Sequence, residues 1–425
     1  MTENLNTIFN EIKKYNNWDK VLDSPGFERS FYLSRLGNYI GNKLIKVLVG
    51  QRRVGKSYLL RQIISFLITR KSVSPQNIFY LNKEYMSFQE INTSVQLEFL
   101  FKHYLNEIKP EGKVYIFLDE VQNIENWEIF VNSYSQDFTK TYELFISGSN
   151  STLLSGELAS HLSGRYIEFE ILPFSFDEYI GINNLTENRE NFIGYLKTGG
   201  LPEIYHIDSE EVQRHYIDSL KNTIILRDIA VRHKIKDLTL LEDIFSFLCA
   251  NIGNLTSFSS IVNYFKSKQR KTNYETISTY VEYLINTYIF HQTERFQLQG
   301  KQVLGGEYKY YLNDLAFKNL LFGFRATDIG YNLENYVFIQ LKRMGYNVSI
   351  GKLKNLEIDF IAQKPDKTIY LQVTYLLNSP KVIEREFENL LQINDNHEKL
   401  VISLDEVQFS DYKGIKHLRP WELKK

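Results

Sequence analysis

Five short apolar runs punctuate the first 172 residues: Leu44–Val49, Ile78–Leu81, Val114–Leu118, Leu144–Ser147 and Ile167–Leu172. Segments with helical spacing of their apolar positions separate them. Short β-rich runs alternating with amphipathic helices predict a parallel sheet flanked by helices. From Phe174 to about Leu241 the pattern turns mainly helical, interrupted by Gly199-Gly200-Leu201-Pro202. Residues 242–322 then carry two compact helical stripes, Phe258, Ile261, Val262, Phe265 and Ile277, Val281, Leu284, Tyr288. Thr272-x-x-Glu275 predicts a capping box opening the second of these helices. A β-rich stretch follows, Tyr288–Gln292 and Tyr308–Leu312, around a loop containing Gln and Gly. From about Tyr331 a helix leads into strand patterns around Glu357–Ala362 and Thr368–Tyr375, and then further α/β material. The chain has no internal repeat, low-complexity tract or Pro-rich linker, so boundaries rest on changes of periodicity.

Composition narrows the class. Fifty basic and 51 acidic residues in 425 nearly cancel, which excludes a globally polycationic nucleic-acid coat but not local basic patches. Twenty-nine Tyr and 29 Phe supply several packed cores, while 30 Gly and Pro residues in all are too few for a collagen-like or broadly disordered chain. The single cysteine, Cys249, excludes an internal disulfide or thiolate metal cluster and reads as inert core. No apolar run approaches the ~18 residues that would span a bilayer, and Met1-Thr2-Glu3-Asn4 lacks the basic and apolar regions of a secretory signal. A soluble cytoplasmic protein with no membrane partner is expected.

The sharpest motif is Gly50-Gln51-Arg52-Arg53-Val54-Gly55-Lys56-Ser57, directly after an apolar strand and opening a striped helix from Tyr58. It matches G-x-x-x-x-G-K-[ST], the Walker A pattern. Loop amides and a helix N-terminus cradle phosphate oxygens. Lys56 is expected to neutralise the β/γ-phosphates and the Ser57 hydroxyl to hold Mg²⁺. Val114–Leu118 ends in Asp119-Glu120, as a Walker B strand does. Asp119 is the expected Mg²⁺ ligand, and Glu120 the group that orients and deprotonates the attacking water. Leu144-Phe145-Ile146 runs into Ser147-Gly148-Ser149-Asn150, where Asn150 or Ser149 would touch the γ-phosphate or its water. The alternative there is a plain Ser/Gly/Asn turn and helix cap.

These residues resemble the AAA-type P-loop ATPases. More narrowly, the chain resembles a prokaryotic family of such ATPases with a nuclease-like C-terminal domain. The resemblance is carried by Gly50–Ser57, Asp119-Glu120-Val121-Gln122-Asn123 with Trp127, Ser147-Gly148-Ser149, Ser163-Gly164-Arg165 and Leu172-Pro173-Phe174-Ser175-Phe176. It extends to Gly199-Gly200-Leu201-Pro202, Lys309–Asp314, Glu334-Asn335 and Glu357-Ile358-Asp359-Phe360. It implies an extra strand between the P-loop and Walker B strands. It also singles out Arg165, whose guanidinium suits a γ-phosphate of its own or a neighbouring subunit; an ordinary salt bridge is the alternative.

The two stripes and β-rich stretch look like a winged helix-turn-helix, as the resemblance also implies. Lys266, Lys268, Arg270 and Lys271 in the turn, with Arg295 and Lys301, would meet phosphates. Glu275, Thr279 and Glu282 fall opposite the buried stripe, and carboxylates there oppose direct major-groove reading. Backbone binding and protein docking both stay open. Further on, Glu334, Asp359 and Gln372 resemble the restriction-endonuclease pattern, Asp…(Asp/Glu)-x-Lys with a helical Glu, whose carboxylates bind Mg²⁺. Here Gln372 replaces the second acid and Thr374 the lysine, so weak metal binding and poor or absent cleavage are expected.

The resulting expectation is an α/β chain in four modules. Residues 1–172 form an AAA-type P-loop parallel-sheet domain and 173–241 a helical lid or connector. Residues 242–325 form a winged helix-turn-helix and 326–425 a restriction-endonuclease-like α/β domain. Its cofactors would be ATP and Mg²⁺, its partners DNA, a protein or further copies of itself. The alternatives are an ATP-regulated DNA nuclease and a nucleotide-gated regulatory protein with slow turnover.

Overall fold

The computed structural model describes residues 2–16, 18, 25–151, 164–300, 302–406 and 412–424, with side chains from Thr7 onward. It comprises two compact units, residues 1–171 and 172–425.

In the first unit the five apolar runs become five strands: β1 (Ile45–Val49), β2 (Ile78–Asn82), β3 (Val114–Asp119), β4 (Tyr142–Gly148) and β5 (Tyr166–Glu170). Their order is β2-β3-β4-β1-β5 and every pairing is parallel. β4 therefore lies between β1 and β3, as the resemblance implies. Strands β1 to β4 are buried along their whole length, which explains why they read as continuous apolar runs rather than alternating ones. Helices α1 (Thr2–Tyr15), α2 (Ser30–Gly37), α3 (Lys56–Lys71), α4 (Ser94–Ile108) and α5 (Trp127–Gln136) complete the described layers. The outer edge of β2 does not stay open. The Asn16 side-chain amide donates to Tyr80 O (2.9 Å) and accepts from Tyr80 N (2.7 Å), while Trp18 Nε1 donates to Ile78 O (2.7 Å). Side chains thus replace the missing neighbouring strand.

The second unit begins with helices Phe176–Asn183, Arg189–Thr198 and Glu210–Thr223, the last continuing as a π-helical stretch Ile224–Val231. Helices Leu238–Ala250, Phe258–Ser267 and Tyr274–Asn286 precede the antiparallel hairpin of β6 (Phe290–Gln297) and β7 (Gln302–Leu312). Helices Ala316–Phe322 and Ile329–Arg343 follow, then β8 (Asn347–Leu353), β9 (Leu356–Lys364), β10 (Lys367–Val373), helix Pro380–Leu391, β11 (Glu398–Ile402) and β12 (Lys416–Leu418). A core of Ile358, Ile361, Phe387, Leu390 and Val401 packs the last helix onto the sheet. Cys249 is fully buried, and burial pushes its thiol upward. No described helix is long and apolar enough to cross a membrane.

Two expectations change here. The boundary at 325/326 does not separate two sheets: β6 pairs in parallel with β8 through Arg295, Phe296, Gln297 and Ile350, Gly351, Lys352. Hairpin and C-terminal strands therefore form one seven-stranded sheet, β12-β11-β10-β9-β8-β6-β7. The second correction concerns the capping box, which is not made by Thr272. Asn273 is the N-cap, its side chain accepting from Thr276 N at 2.8 Å, because a short amide oxygen one residue later reaches the orphan N–H.

Candidate functional site

At the carboxyl edge of the parallel sheet, the loop after β1 turns into α3. Gly50 adopts φ +143°, and a Cβ there would collide with Ile171 O, where the chain leaves β5. Only glycine lets the loop pass so close. Gln51, Val54 and Lys56 are buried, Gly55 caps α3 in the left-handed region, and Arg53 also takes a positive φ. The Lys56 ammonium donates to Gly50 O (2.8 Å) and Gln51 O (3.0 Å) and lies 3.9 Å from Glu120 Oε1. Burial pulls the Lys56 pKa down, against the opposing pull of Glu120 and Asp119. Arg52 is turned to Glu84 (2.8 Å), and Tyr58 is half exposed beneath the Arg61 guanidinium.

Asp119 is fully buried at the end of β3 and densely hydrogen-bonded. Ser147 donates to Oδ1, while Tyr80 (3.1 Å) and Asn82 (2.9 Å) donate to Oδ2. Burial and the Glu120 charge push Asp119 upward, and hydrogen bonds from Ser147 and Ser57 oppose them. Glu120 sits at φ 55°, in the left-handed region, directly after β3. Its Oε2 accepts from Gln122 Nε2 and from Ser149 Oγ (3.1 Å). The contact to Glu120 is made by Ser149, while Asn150 is buried beside it. Mg²⁺ keeps several waters and takes one or two protein oxygens together with phosphate. The Ser57 hydroxyl beside the Asp119 carboxylate is a donor set of that kind.

Arg165 does not join this site. It is exposed just before β5, its carbonyl accepting from Ile45 N at the amino ends of β1 and β5. The P-loop leaves the opposite end of β1, a strand length of roughly 17 Å away, beyond the reach of an arginine side chain. The expected role on its own chain's phosphate is corrected accordingly. Ser163 lies outside the described residues.

The basic turn is also reduced. Arg270 is held by Asp237 (2.8 Å) and Asp243 (2.9 Å), and Arg295 pairs with Glu307. Lys266, Lys268 and Lys271 remain exposed, and Lys301 lies outside the described residues. Glu275 and Glu282 are exposed on helix Tyr274–Asn286, opposite buried Ile277, Val281 and Leu284.

In the second unit the structure brings Glu334, Asp359 and Gln372 together, and adds Lys309, Tyr311 and Glu357. Lys309 Nζ lies 2.9 Å from Glu334 Oε1 and 2.9 Å from Glu357 Oε1. Burial works against its charge, yet Glu334, Asp359 and Glu357 outweigh that and hold Lys309 above the ordinary lysine value. Burial and the Glu334 charge push Asp359 well above the usual carboxylate range, against Lys309 and the Val373 N–H. β7 thus supplies these carboxylates with a buried cation that the sequence around Thr374 does not provide. Gln372 Oε1 accepts the Asp359 N–H at 2.8 Å, which ties the side chain to the backbone of β9. Among the described residues no three His, Cys, Asp or Glu side chains converge on a metal position, and Glu334, the helical carboxylate expected to take an ion, already carries the Lys309 ammonium on its Oε1.

Two further motifs acquire structural roles. Asn335 reads both polar groups of Leu312, donating to O and accepting from N at 2.8 Å each. Asp314 accepts from Gly200 N (2.7 Å) and Ala316 N (2.8 Å), and a Cβ on Gly199 would fall on its carboxylate.

Known proteins sharpen the picture. A family model described as an AAA domain matches residues 42–180. An uncharacterised protein of Haemophilus influenzae is 35% identical over 393 residues, covering 91% of this chain and 96% of the relative. The chain belongs to that protein's family, and its first unit is an AAA domain. A second relative of this AAA-domain protein, an uncharacterised protein of Methanocaldococcus jannaschii, is 31% identical over 369 residues (82% and 78% of the two chains). Residues 189–328 match a domain of unknown function, a span that runs across the expected boundary at 241/242. Among solved structures, the Aeropyrum pernix ORC1 protein in complex with DNA shows 13% identity and a TM-score of 0.30, over 69% of this chain and 92% of that one. AMPPCP-bound DnaA from Aquifex aeolicus gives 13% and 0.30, over 64% and 92%. At such scores neither the DNA nor the nucleotide of those structures transfers to this chain.

Proposed function

We propose that this AAA-domain protein is a Mg²⁺-dependent ATP-binding and ATP-hydrolysing switch whose second unit associates with DNA. The supporting observation is the convergence of Lys56, Ser57, Asp119, Glu120 and Ser149 at the carboxyl edge of one parallel sheet, where α/β proteins bind ligands. In this reading the loop amides and Lys56 take the phosphates. Ser57 and Asp119 would hold Mg²⁺, which supplies positive charge to the β- and γ-phosphate oxygens when bound. Glu120 Oε2, held by Gln122 and Ser149, fixes the carboxylate so that it can orient a water and accept its proton. Arg165, exposed at the far edge, is a candidate only for a neighbouring copy's phosphate.

The DNA part rests on Lys266, Lys268 and Lys271, exposed in the last turn of helix Phe258–Ser267 and in the connection to helix Tyr274–Asn286, and followed by the β6–β7 hairpin. Their contacts would be to phosphates, because Glu275 and Glu282 occupy the open face of the second helix. One purified sample tests both parts, by measuring ATP turnover and duplex binding across a salt titration. Turnover that disappears in Lys56→Ala supports the first. Reversing the three lysine charges should abolish a steeply salt-dependent duplex affinity while basal turnover persists. Undiminished duplex binding in that variant would leave the turn as a solvated or protein-contacting loop. Turnover too slow to be stoichiometric within minutes would favour a nucleotide-gated regulatory protein instead.

A further inference from the structure

In the endonuclease pattern the sequence resembles, Glu334 and Asp359 would share a divalent cation. Here one oxygen of each carboxylate is turned to a partner within the protein. Glu334 Oε1 accepts from the Lys309 ammonium (2.9 Å) and from the Tyr311 hydroxyl (2.7 Å). Asp359 Oδ2 accepts from Val373 N (2.7 Å). The Lys309 side chain is only 5% exposed and bridges Glu334 to Glu357.

We propose that Lys309 is the resident cation of this site, standing where the endonuclease pattern would place a divalent ion. The second unit then binds no Mg²⁺ there and does not cut phosphodiesters. The inference stands independently of the ATPase reading.

Three physical points support it. First, Lys309 and Tyr311 are two residues apart on β7 and so share a face, and both reach the same Glu334 oxygen. Second, the strand that carries them cannot swing away. Thr256 N donates to Tyr308 O (2.8 Å), Tyr308 N returns a bond to Thr256 O (2.9 Å), and Gly253 N donates to Tyr310 O (3.1 Å). Gly253 also closes on the carboxylate, since a Cβ there would sit 3.4 Å from both Glu334 oxygens. Third, an incoming metal must displace an ammonium tethered to the site by its own backbone. That ammonium would then be left buried without its partners, which is strongly unfavourable.

Mn²⁺ serves as the probe, titrated into the nucleotide-free full chain and followed by electron paramagnetic resonance. Wild type should show no bound ion that Asp359→Asn or Glu334→Gln removes, up to millimolar Mn²⁺. Lys309→Met should gain one ion bound at least tenfold more tightly, and the double variant Lys309→Met/Asp359→Asn should lose it. Supercoiled DNA incubated with wild type and Mg²⁺ or Mn²⁺ should stay unnicked. An Asp359-dependent ion in wild type, Asp359-dependent nicking, or a folded Lys309→Met protein that gains no ion would overturn the proposal. If Lys309→Met does not fold, Lys309→Gln replaces it, and if neither folds the wild-type titration alone decides.

Discussion

Two buried lysines are treated in opposite ways by this protein. Lys56 and Lys309 are each 4% exposed. Lys56 donates to two backbone carbonyls, stays 3.9 Å from its nearest carboxylate, and is pulled downward by burial. Lys309 is clasped by two carboxylates at 2.9 Å and held upward. Burial alone therefore says little about what a cation is for. An ammonium resting on neutral carbonyls can exchange them for phosphate oxygens, whereas one closed into carboxylates is already satisfied.

The largest expected effect breaks the comparison at its catalytic end. Lys56→Ala should abolish ATP turnover, and Glu120→Gln should keep nucleotide binding while lowering kcat by roughly 10²–10⁴-fold. Lys309→Met should leave turnover within about twofold of wild type. Steady-state kinetics with a fluorescent-nucleotide titration checks all three, and undiminished kcat in Glu120→Gln would remove the base from its role.

Stability should invert that order. Removing Lys309 leaves Glu334, Glu357 and Asp359 without their cation and should destabilise the second unit by about 3 kcal/mol, a loss that Mn²⁺ partly restores. Lys56→Ala leaves two backbone carbonyls with one donor fewer, so about 1 kcal/mol is expected in the first unit. Denaturant titration followed separately in the two units gives the answer, and equal losses would erase the distinction.

A pH effect follows from Asp314. Burial pushes this carboxyl up to about 7, against hydrogen bonds from Ala316, Gly200 and Leu201 N–H groups. Between its ordinary value and about 7 the folded chain binds more protons at this site than the unfolded chain. Its stabilising contribution is therefore complete at low pH and lost as pH rises through that window, by about 2.6 kcal/mol from pH 5 to 8. Wild-type melting minus Asp314→Asn melting isolates the term, and a difference independent of pH would refute it.

The smallest effect concerns Gln122. If its amide positions Glu120, Gln122→Ala should lower kcat about tenfold, equivalent to about 1.4 kcal/mol, with nucleotide affinity unchanged. An equal rise in KM would instead mark a contact to the nucleotide.

The two sites differ in how plainly they were written in the sequence. Gly50–Ser57 and Asp119-Glu120 are contiguous because a loop and a strand end present consecutive atoms to one ligand, and the apolar runs around them mark five strands to within a few residues. Lys309 joins Glu334, Glu357 and Asp359 only through sheet pairing and helix packing, and no spacing rule connects positions so far apart. The same holds for Ser147, Tyr80 and Asn82 around Asp119, which come from neighbouring strands. Gln122 was visible as part of a motif, but its target depended on the left-handed turn at Glu120. The apolar pattern does not mark β8, β11 or β12: β8 is partly exposed, β11 opens with the charged Glu398 and Lys399, and β12 is only three residues long. The Arg165 expectation narrows to a neighbouring copy for a reason already present in residue order: in a parallel sheet a residue that precedes one strand lies at the edge opposite a loop that follows another.

The pairing of β6 with β8 gives this protein a covalent continuity and a mechanical continuity that do not coincide. Between Leu312 and Asn347 the chain leaves the sheet for two helices and returns, yet the strands on either side are sewn together at Arg295–Gln297 and Ile350–Lys352, with Leu298 N adding a bond to Lys352 O at 3.0 Å. A protease that nicks the exposed turn around Gly323 would sever the backbone without separating the halves, which would co-elute as a complemented pair. Conversely, a load applied at the tip of the hairpin would be borne by the C-terminal strands at once, long before it travelled along the chain.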